Sequence, residues 1–519
     1  MRRSLLVFAL VLLNMVGKAQ FRDGLDLTFG KDGFVTKSVP PSTSSDDRIF
    51  DAILQPDGKI VAIAGRSVVR FLANGNFDSS FGTYGVCVDT FFNPDKSIDL
   101  YYLASKLGLQ HDNSIIVTGI SNLSKDPIAR IPRVFLTRID SNGRIDRTFG
   151  VNGTFTDSSL IGIEVADLKI TNDDKIVLSG DSAYYACLIQ IKKDGFFDSS
   201  FGQNGKVLDY SSMATGARIA IDKDGKILQV RNRYKVARYL PNGVLDSTFN
   251  KIGKTEIYSL PISSTFFPTS IDIAIAADEK IWVAGNTFSS HSIEPFTLAR
   301  LKNDGTVDSS FNAVGYVQYA WDTSKLNYMS DMIIDHSGKI ILAGTVINKI
   351  SKKDNFGLMR ILPDGGLDPD FGKGGKLMTQ LYGYSVRPDR LYCILEQADH
   401  KILAFGTTSD TITTTYATIA RYNGNGENSI KQIQKEKGQQ FTIYPNPSQG
   451  NIRITSLLSY RGGSVDVNIY DLIGRVVNQQ NLFFNNNVAN LTFNLPSAIY
   501  ILEMRDKAGN VQRENLIIE

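Results

Sequence analysis

Along residues 271–318 apolar and polar positions fall into a repeating plan. Ile271, Ile273 and Ile275 alternate with Asp272, Ala274 and Ala276, the two-residue period of a strand with one buried face. Asp278-Glu279-Lys280 predicts a tight turn, residues 281–285 a second, wholly apolar strand, and residues 296–301 a third. Asn303-Asp304-Gly305 reads as a hairpin turn, because Asp-Gly tolerates the positive φ that such turns need. A fourth strand follows Phe311 and runs through Val317. The same order recurs along the chain, with second-strand phrases at Lys59-Ile60, Lys175-Ile176, Lys226-Ile227, Lys339-Ile340 and Lys401-Ile402, and a divergent copy at Ser114-Ile115.

Seven phenylalanines set the phase of this repeat: Phe29, Phe81, Phe149, Phe201, Phe249, Phe311 and Phe371. Each has an aspartate three residues before it, from Asp26 to Asp368, and a glycine four after it, from Gly33 to Gly375. Where the glycine directly after the phenylalanine is lost, Asn250 or Asn312 replaces it; asparagine is the next residue best able to hold a left-handed backbone. A repeat of about 50–70 residues with four short antiparallel strands predicts an all-β fold, a seven-bladed β-propeller; an open solenoid is the competing architecture. The first copy has only its fourth-strand phrase and the last lacks one, so the N-terminal strand is expected to complete the last blade and close the ring. An arginine lies eleven residues before six of the phenylalanine positions or their equivalents, as Arg70, Arg138, Arg238, Arg300, Arg360 and Arg421, with Gln190 as the exception. These predict structural ion pairs, Arg70 with Asp78, Arg300 with Asp308 and Arg421 with Asp26, since equivalent positions around a ring cannot all face one catalytic site.

Composition narrows the class. Arg2, Arg3, the apolar run 5–15 and Gly17-Lys18-Ala19 read as a signal peptide over residues 1–19. The formal charge of +3 is supplied by Arg2, Arg3 and Lys18, so the mature chain is near neutral and gives no electrostatic case for nucleic acid. No mature segment is apolar enough to be a spanning helix. Cys87, Cys187 and Cys393 fall in strand-like stretches and read as small buried hydrophobes. His111, His336 and His400 fall in the turns before second strands and read as turn residues; His291 has no partner at ligand spacing. No nucleophile elbow, phosphate loop or zinc-protease motif is present. Asn172-Asp173-Asp174 could bind calcium but lacks the spacing of a calcium loop, so no cofactor and no metal are expected.

The phrase Phe-x-Leu-x-Arg-Leu…Asp-Gly-x-x-Asp-x-Ser-Phe-Gly-x-x-Gly resembles the delta-60 repeat family of propeller-like bacterial proteins, over about residues 25–426. That resemblance implies no enzymatic activity and no catalytic residues. After a polar linker at 427–440, Tyr444-Pro445-Asn446-Pro447 with Gly450, then Asp471-Leu472-Ile473-Gly474, is similar to the C-terminal sorting domain of type IX secretion cargo. This resemblance implies an Ig-like β-sandwich over 441–519, recognition by the type IX machinery, and a secreted or outer-membrane-surface location in a Gram-negative bacterium. The propeller is then expected to span 20–426.

For function, the longer second–third loops (120–132, 286–295, 345–354, 407–415) and the connections 90–100 and 258–268 should share one face. Phe91, Phe92, Phe266, Phe267, Tyr319, Trp321, Tyr382 and Tyr384 gather there. They either pack between blades or form a surface for a glycan or a surface protein, with rings stacking on the ligand. The first reading is a non-enzymatic binding module. Its rivals are a secreted hydrolase or lyase using carboxylates in the channel mouth, and a passive structural component of the cell surface.

Overall fold

The computed structural model describes residues 24–39, 47–87, 101–122, 132–182, 185–213, 217–231, 234–257, 271–287, 295–321, 325–348, 354–381, 389–409, 415–424, 441–444, 446–456, 464–471, 475–485, 487–507 and 511–518. The signal-peptide and linker expectations, 1–19 and 427–440, lie outside them. The chain divides into two compact units, Met1–Glu427 and Asn428–Glu519.

Among the described residues, the first unit is all-β. Sheet one holds Ile49–Leu54, Ile60–Ala64 and Ser67–Phe71. Sheet two holds Tyr101–Leu109, Ile115–Asn122, Pro132–Ile139 and Thr154–Ile161. Sheet three runs through Ile163–Ile170, Ile176–Ser182, Tyr185–Ile191 and Lys206–Met213, and sheet four through Arg218–Ile221, Ile227–Arg231, Lys235–Tyr239 and Lys254–Glu256. Sheet five has Ile271–Ile275, Ile281–Asn286, Phe296–Leu301 and Tyr316–Tyr319; sheet six has Lys325–Ile334, Ile340–Asn348, Asp354–Ile361 and Lys376–Thr379. Sheet seven takes Arg390–Glu396, Ile402–Thr408 and Tyr416–Tyr422 from one end of the unit and Phe34–Lys37 from the other, with Phe34 opposite Ala420 and Lys37 opposite Ala417. Two details differ from the sequence expectation. Sheet one has three strands, and its fourth segment is reduced to hydrogen bonds such as Arg70 N to Gly85 O and Cys87 N to Val68 O. The second–third loops are shorter than the sequence suggests, because strand pairing continues to Asn122 and Asn348.

Burial explains why second strands lack a polar face. In Ile60–Ala64, the residues Ile60, Ala62 and Ala64 join a core with Leu403 and Ile419 of sheet seven, whereas Val61 and Ile63 join one with Leu107 and Phe135 of sheet two. A strand sandwiched between neighbouring sheets must be apolar on both sides. The same holds around the unit: separate cores join sheets two and three, three and four, four and five, five and six, and six and seven. The seven repeat phenylalanines are fully buried within these cores or beside them.

The repeat arginine and aspartate act together at six of the seven seams; between sheets three and four Gln190 takes the arginine's place and Lys175 lies 3.2 Å from Asp198. Arg70 Nε donates to Asp78 Oδ2 at 2.8 Å while its Nη1 donates to Ser141 O, in the hairpin of the next sheet, at 2.7 Å. Arg300 pairs with Asp308 at 2.7 Å and reaches Pro363 O of sheet six at 2.8 Å. Arg421 pairs with Asp26 at 2.9 Å and reaches Ala73 O of sheet one at 3.5 Å. Each guanidinium also lies over a repeat phenylalanine, 4.5 Å from Phe81, 4.8 Å from Phe311 and 4.6 Å from Phe29. The other aspartate oxygen accepts from the residue two on, as Asp26 Oδ1 does from Thr28 N and Oγ1. The hairpin glycine of the following sheet rests on the same ring: a Cβ on Gly75 would come within 2.7 Å of Phe29 Cζ. Asn250 and Asn312 do hold left-handed backbone, at φ 46° and 49°.

The second unit has two sheets. One holds Phe441–Tyr444, Asn451–Ser456 and Val488–Thr492; the other holds Val476–Phe483, Ser464–Tyr470, Ala498–Arg505 and Val511–Ile518. They pack on a shared core that includes Phe441, Ile454, Val467, Leu502 and Leu516.

Burial alone would raise the Asp26 carboxyl, but hydrogen bonds from Thr28 and Lys401 and the Arg421 charge outweigh it and hold it at about 2, below its ordinary 3.8. The stability this gives is complete above about pH 4 and is lost as pH falls through the folded value near 2. Asp26→Ala strands the Arg421 and Lys401 charges and should cost roughly 3–5 kcal/mol. Chemical denaturation at pH 7 measures this; a variant as stable as the wild type would refute the role of the pair.

Candidate functional site

The first strands of all seven sheets line one cavity of about 480 Å³. At the same register position, opposite the fourth residue of each second strand, stand Asp51, Lys106, Asp167, Arg218, Asp272, Asp331 and Cys393. In sheets one, two, three, six and seven a register shift falls just before this residue. An extra residue there re-aims the side chain that follows.

The four acids have a common task. Asp51 Oδ2 accepts from Leu107 N at 2.8 Å, Asp167 from Ile219 N at 3.0 Å, Asp272 from Met332 N at 3.0 Å and Asp331 from Ile394 N at 2.7 Å. Each carboxylate therefore caps an amide on a neighbouring first strand, satisfying a donor that an edge strand would leave open. Charge is balanced locally: Lys106 lies 3.6 Å from Asp51, and Lys169 and Arg218 lie 3.2 and 3.9 Å from Asp167. Burial opposes ionisation of Asp167, but Lys169, Arg218 and Lys106 overcome it and lower its carboxyl. Asp331 differs. Burial and repulsion from Asp272 push its carboxyl well above the ordinary range. Sequence reasoning missed this ring, because Asp51 or Asp272 looks like any polar member of an alternating strand.

Of the eight candidate ligand-binding aromatics, Phe91, Phe92, Phe266, Phe267, Tyr382 and Tyr384 lie outside the described residues. Tyr319 Oη donates to Gly365 O of the next sheet at 2.7 Å. Trp321 packs edge-on to Phe296, with ring centroids 5.3 Å apart. Both are engaged in packing between sheets five and six. Cys187 and Cys393 are buried and Cys87 is half-buried; burial pushes the Cys187 thiol up to about 12. At the turn considered for calcium, Asp173 accepts from Thr171 and lies 3.1 Å from Lys175, while Asp174 binds His111. One group among the described residues could hold a metal ion: His336, Glu396 and His400.

In the second unit, Tyr444 is 77% exposed at the end of its strand. The Asn446 side chain clamps the final strand, donating to Asn515 O at 2.7 Å and accepting from Ile517 N at 2.8 Å. The peptide between Asn446 and Pro447 is cis, and Gly450 has φ 97°. Asp471 caps its turn, accepting from Arg475 N at 2.9 Å and Nε at 2.8 Å. Pro445 and Gly474 lie outside the described residues.

Residues 442–519 match the secretion system C-terminal sorting domain. Residues 55–81, 223–249, 276–311 and 337–371 match a β-propeller domain of unknown function, DUF5122. The chain carries a β-propeller-like domain and a C-terminal type IX sorting domain. The tail directs it to the surface or exterior of a Gram-negative bacterium and engages the type IX machinery. Among the described residues no helix is long and apolar enough to cross a membrane. No curated protein matches the chain. Solved structures similar to it include PorZ of Porphyromonas gingivalis, an essential surface component of the type IX system, at 11% identity and a TM-score of 0.30, covering 91% of this chain. The chain spans 65% of that protein's length. A protein of unknown function from Bacteroides caccae matches at 11% identity and a TM-score of 0.34, covering 65% of this chain and 96% of its own. Drosophila Plexin A in complex with Semaphorin 1b matches at 8% and 0.36, covering 77% and 88%.

Two outcomes are expected. A folded-state carboxyl raised above its unfolded value binds more protons in the native state, so its contribution is full below about pH 4 and declines as pH rises. Asp331→Asn keeps an acceptor for Ile394 N without the charge; its melting temperature should gain on the wild type progressively between pH 4 and pH 8. A constant difference would refute the raised carboxyl. Deleting residues 441–519 should leave the protein in the periplasm, as cell fractionation would show.

Proposed function

We propose that the first unit is a closed seven-bladed propeller that acts as a non-enzymatic binding module, carried to the cell surface or beyond by an Ig-like sorting sandwich. Ring closure is supported by Phe34–Lys37 pairing with Tyr416–Tyr422, by the core joining sheets seven and one, and by a cavity to which every first strand contributes. The observation that carries the binding reading is the use of the channel acids. All four accept a backbone amide of a neighbouring sheet, and groups committed to holding sheets together are poorly placed to move protons on a substrate. Binding then falls to the loops between second and third strands and between sheets, on a scaffold held rigid by the seams. A glycan is the ligand class this face is proposed to take.

One observation favours the hydrolase or lyase reading. Asp331, whose carboxyl burial and Asp272 push well above the ordinary range in a common cavity, stands beside a second carboxyl, and proton-transfer chemistry uses two carboxyls whose environments differ. A glycan array probed with the mature protein tests both. Retention of intact glycans supports the binding module. Cleaved glycans, with cleavage abolished in Asp331→Asn, would move the function into the channel. No retention and no cleavage would refute the glycan reading and leave a protein ligand or a passive surface role.

A further inference from the structure

The turn that precedes each second strand has four residues, and at three seams its second position meets the fourth position of the next sheet's turn. His111 of sheet two meets Asp174 of sheet three: Asp174 Oδ1 accepts from His111 N at 2.9 Å and lies 2.7 Å from Nδ1. Lys223 of sheet four meets Glu279 of sheet five in an ion pair. Between sheets six and seven the two positions are His336 and His400. Their rings stack with centroids 3.5 Å apart and planes 23° apart. Glu396, the last residue of Arg390–Glu396, supplies the carboxylate that the His400 position lacks. Its Oε2 accepts from His336 N at 2.8 Å, and its Oε1 lies 2.5 Å from His336 Nδ1 and 3.5 Å from His400 Nδ1.

We propose that His336, Glu396 and His400 form a binding site for a divalent transition-metal ion of zinc type, bridging sheets six and seven. The donor atoms lie within 4.8 Å of one another. Two imidazole nitrogens and one carboxylate oxygen are a donor set that zinc accepts, with water completing the shell. Bonds of about 2.0–2.1 Å in a tetrahedron put neighbouring donors about 3.3 Å apart. The contact between His400 Nδ1 and Glu396 Oε1 already has that length. The His336 contact of 2.5 Å must open by about 0.8 Å, and the rings must unstack so that both in-plane lone pairs converge. Both side chains have room, being 47% and 54% exposed, whereas Glu396 is 16% exposed and fixed through its bond to His336 N. The ion takes the place of the hydrogen between His336 Nδ1 and Glu396: a neutral ring then carries its hydrogen on Nε2, and an imidazolium gives up one proton to solvent, so protons compete with the metal and affinity falls as pH is lowered. Because the ligands come from two sheets, binding should also strengthen that seam.

Isothermal titration of the metal-stripped mature chain with Zn²⁺ tests the site. One equivalent should bind and raise the melting temperature. Losing a direct ligand should cost at least what losing an outer-shell partner does, about tenfold or more, in both His336→Ala and His400→Ala. Glu396→Gln keeps an acceptor for His336 N and should weaken binding comparably, so the test survives if a histidine variant folds poorly. His111→Ala alters the corresponding seam, where no second histidine is present, and should bind as the wild type does. Absence of a saturable equivalent, or equal affinity in His336→Ala, His400→Ala and Glu396→Gln, would overturn the proposal.

Discussion

Six of the seven seams between successive sheets depend on an arginine that makes three contacts at once. In Arg70 the guanidinium is tied to an aspartate of its own repeat, to a hairpin carbonyl of the next sheet, and to the face of a buried phenylalanine. A planar cation suits this position: one edge meets a carboxylate, the other meets a carbonyl, and the flat face covers an apolar ring. The aspartate is in turn held by the Ser or Thr two residues on, as Asp78 is by Ser80. Removing any member leaves a desolvated group without its counterpart. This is why the repeat carries Arg, Asp, Phe and Gly at fixed distances and is otherwise free to vary.

The inner edge is solved by a different device. First strands would present open amides to the cavity, and acids at one register position cap the amides of neighbouring sheets. The device is not uniform. Lys106 and Arg218 occupy two of the seven positions and Cys393 a third. The resulting succession of charges is balanced around Asp51 and Asp167 and unbalanced where Asp272 and Asp331 follow one another.

The outer turns show how chemistry can arise from repetition. A cross-sheet contact that is His–Asp at one seam and Lys–Glu at another becomes His–His beside a glutamate at the seam between sheets six and seven. Each histidine has a turn position, as its sequence context predicts. Their convergence follows from the stacking of equivalent turns one repeat apart.

Much of the architecture was legible along the chain because its determinants are local. Period-two alternation, Asp-Gly and Asn-Gly turns, and the register from Arg to Asp to Phe each act over fewer than about a dozen residues and mark strands and hairpins directly. The sorting tail was legible through its resemblance to a known domain, in phrases around Asn446 and Asp471 whose side chains cap nearby or adjoining strands. The complementary fragments of the repeat at its two ends also pointed to the pairing of Phe34–Lys37 with Tyr416–Tyr422. What only the tertiary structure decided are other contacts between repeats: which acids line one cavity, that Tyr319 and Trp321 pack between sheets, and that His336 meets His400. Sequence spacing sets which face of a strand or turn a residue occupies. It leaves open which distant face lies opposite, because that depends on the twist and packing of whole sheets, and there the charges of a candidate site either meet or stay apart.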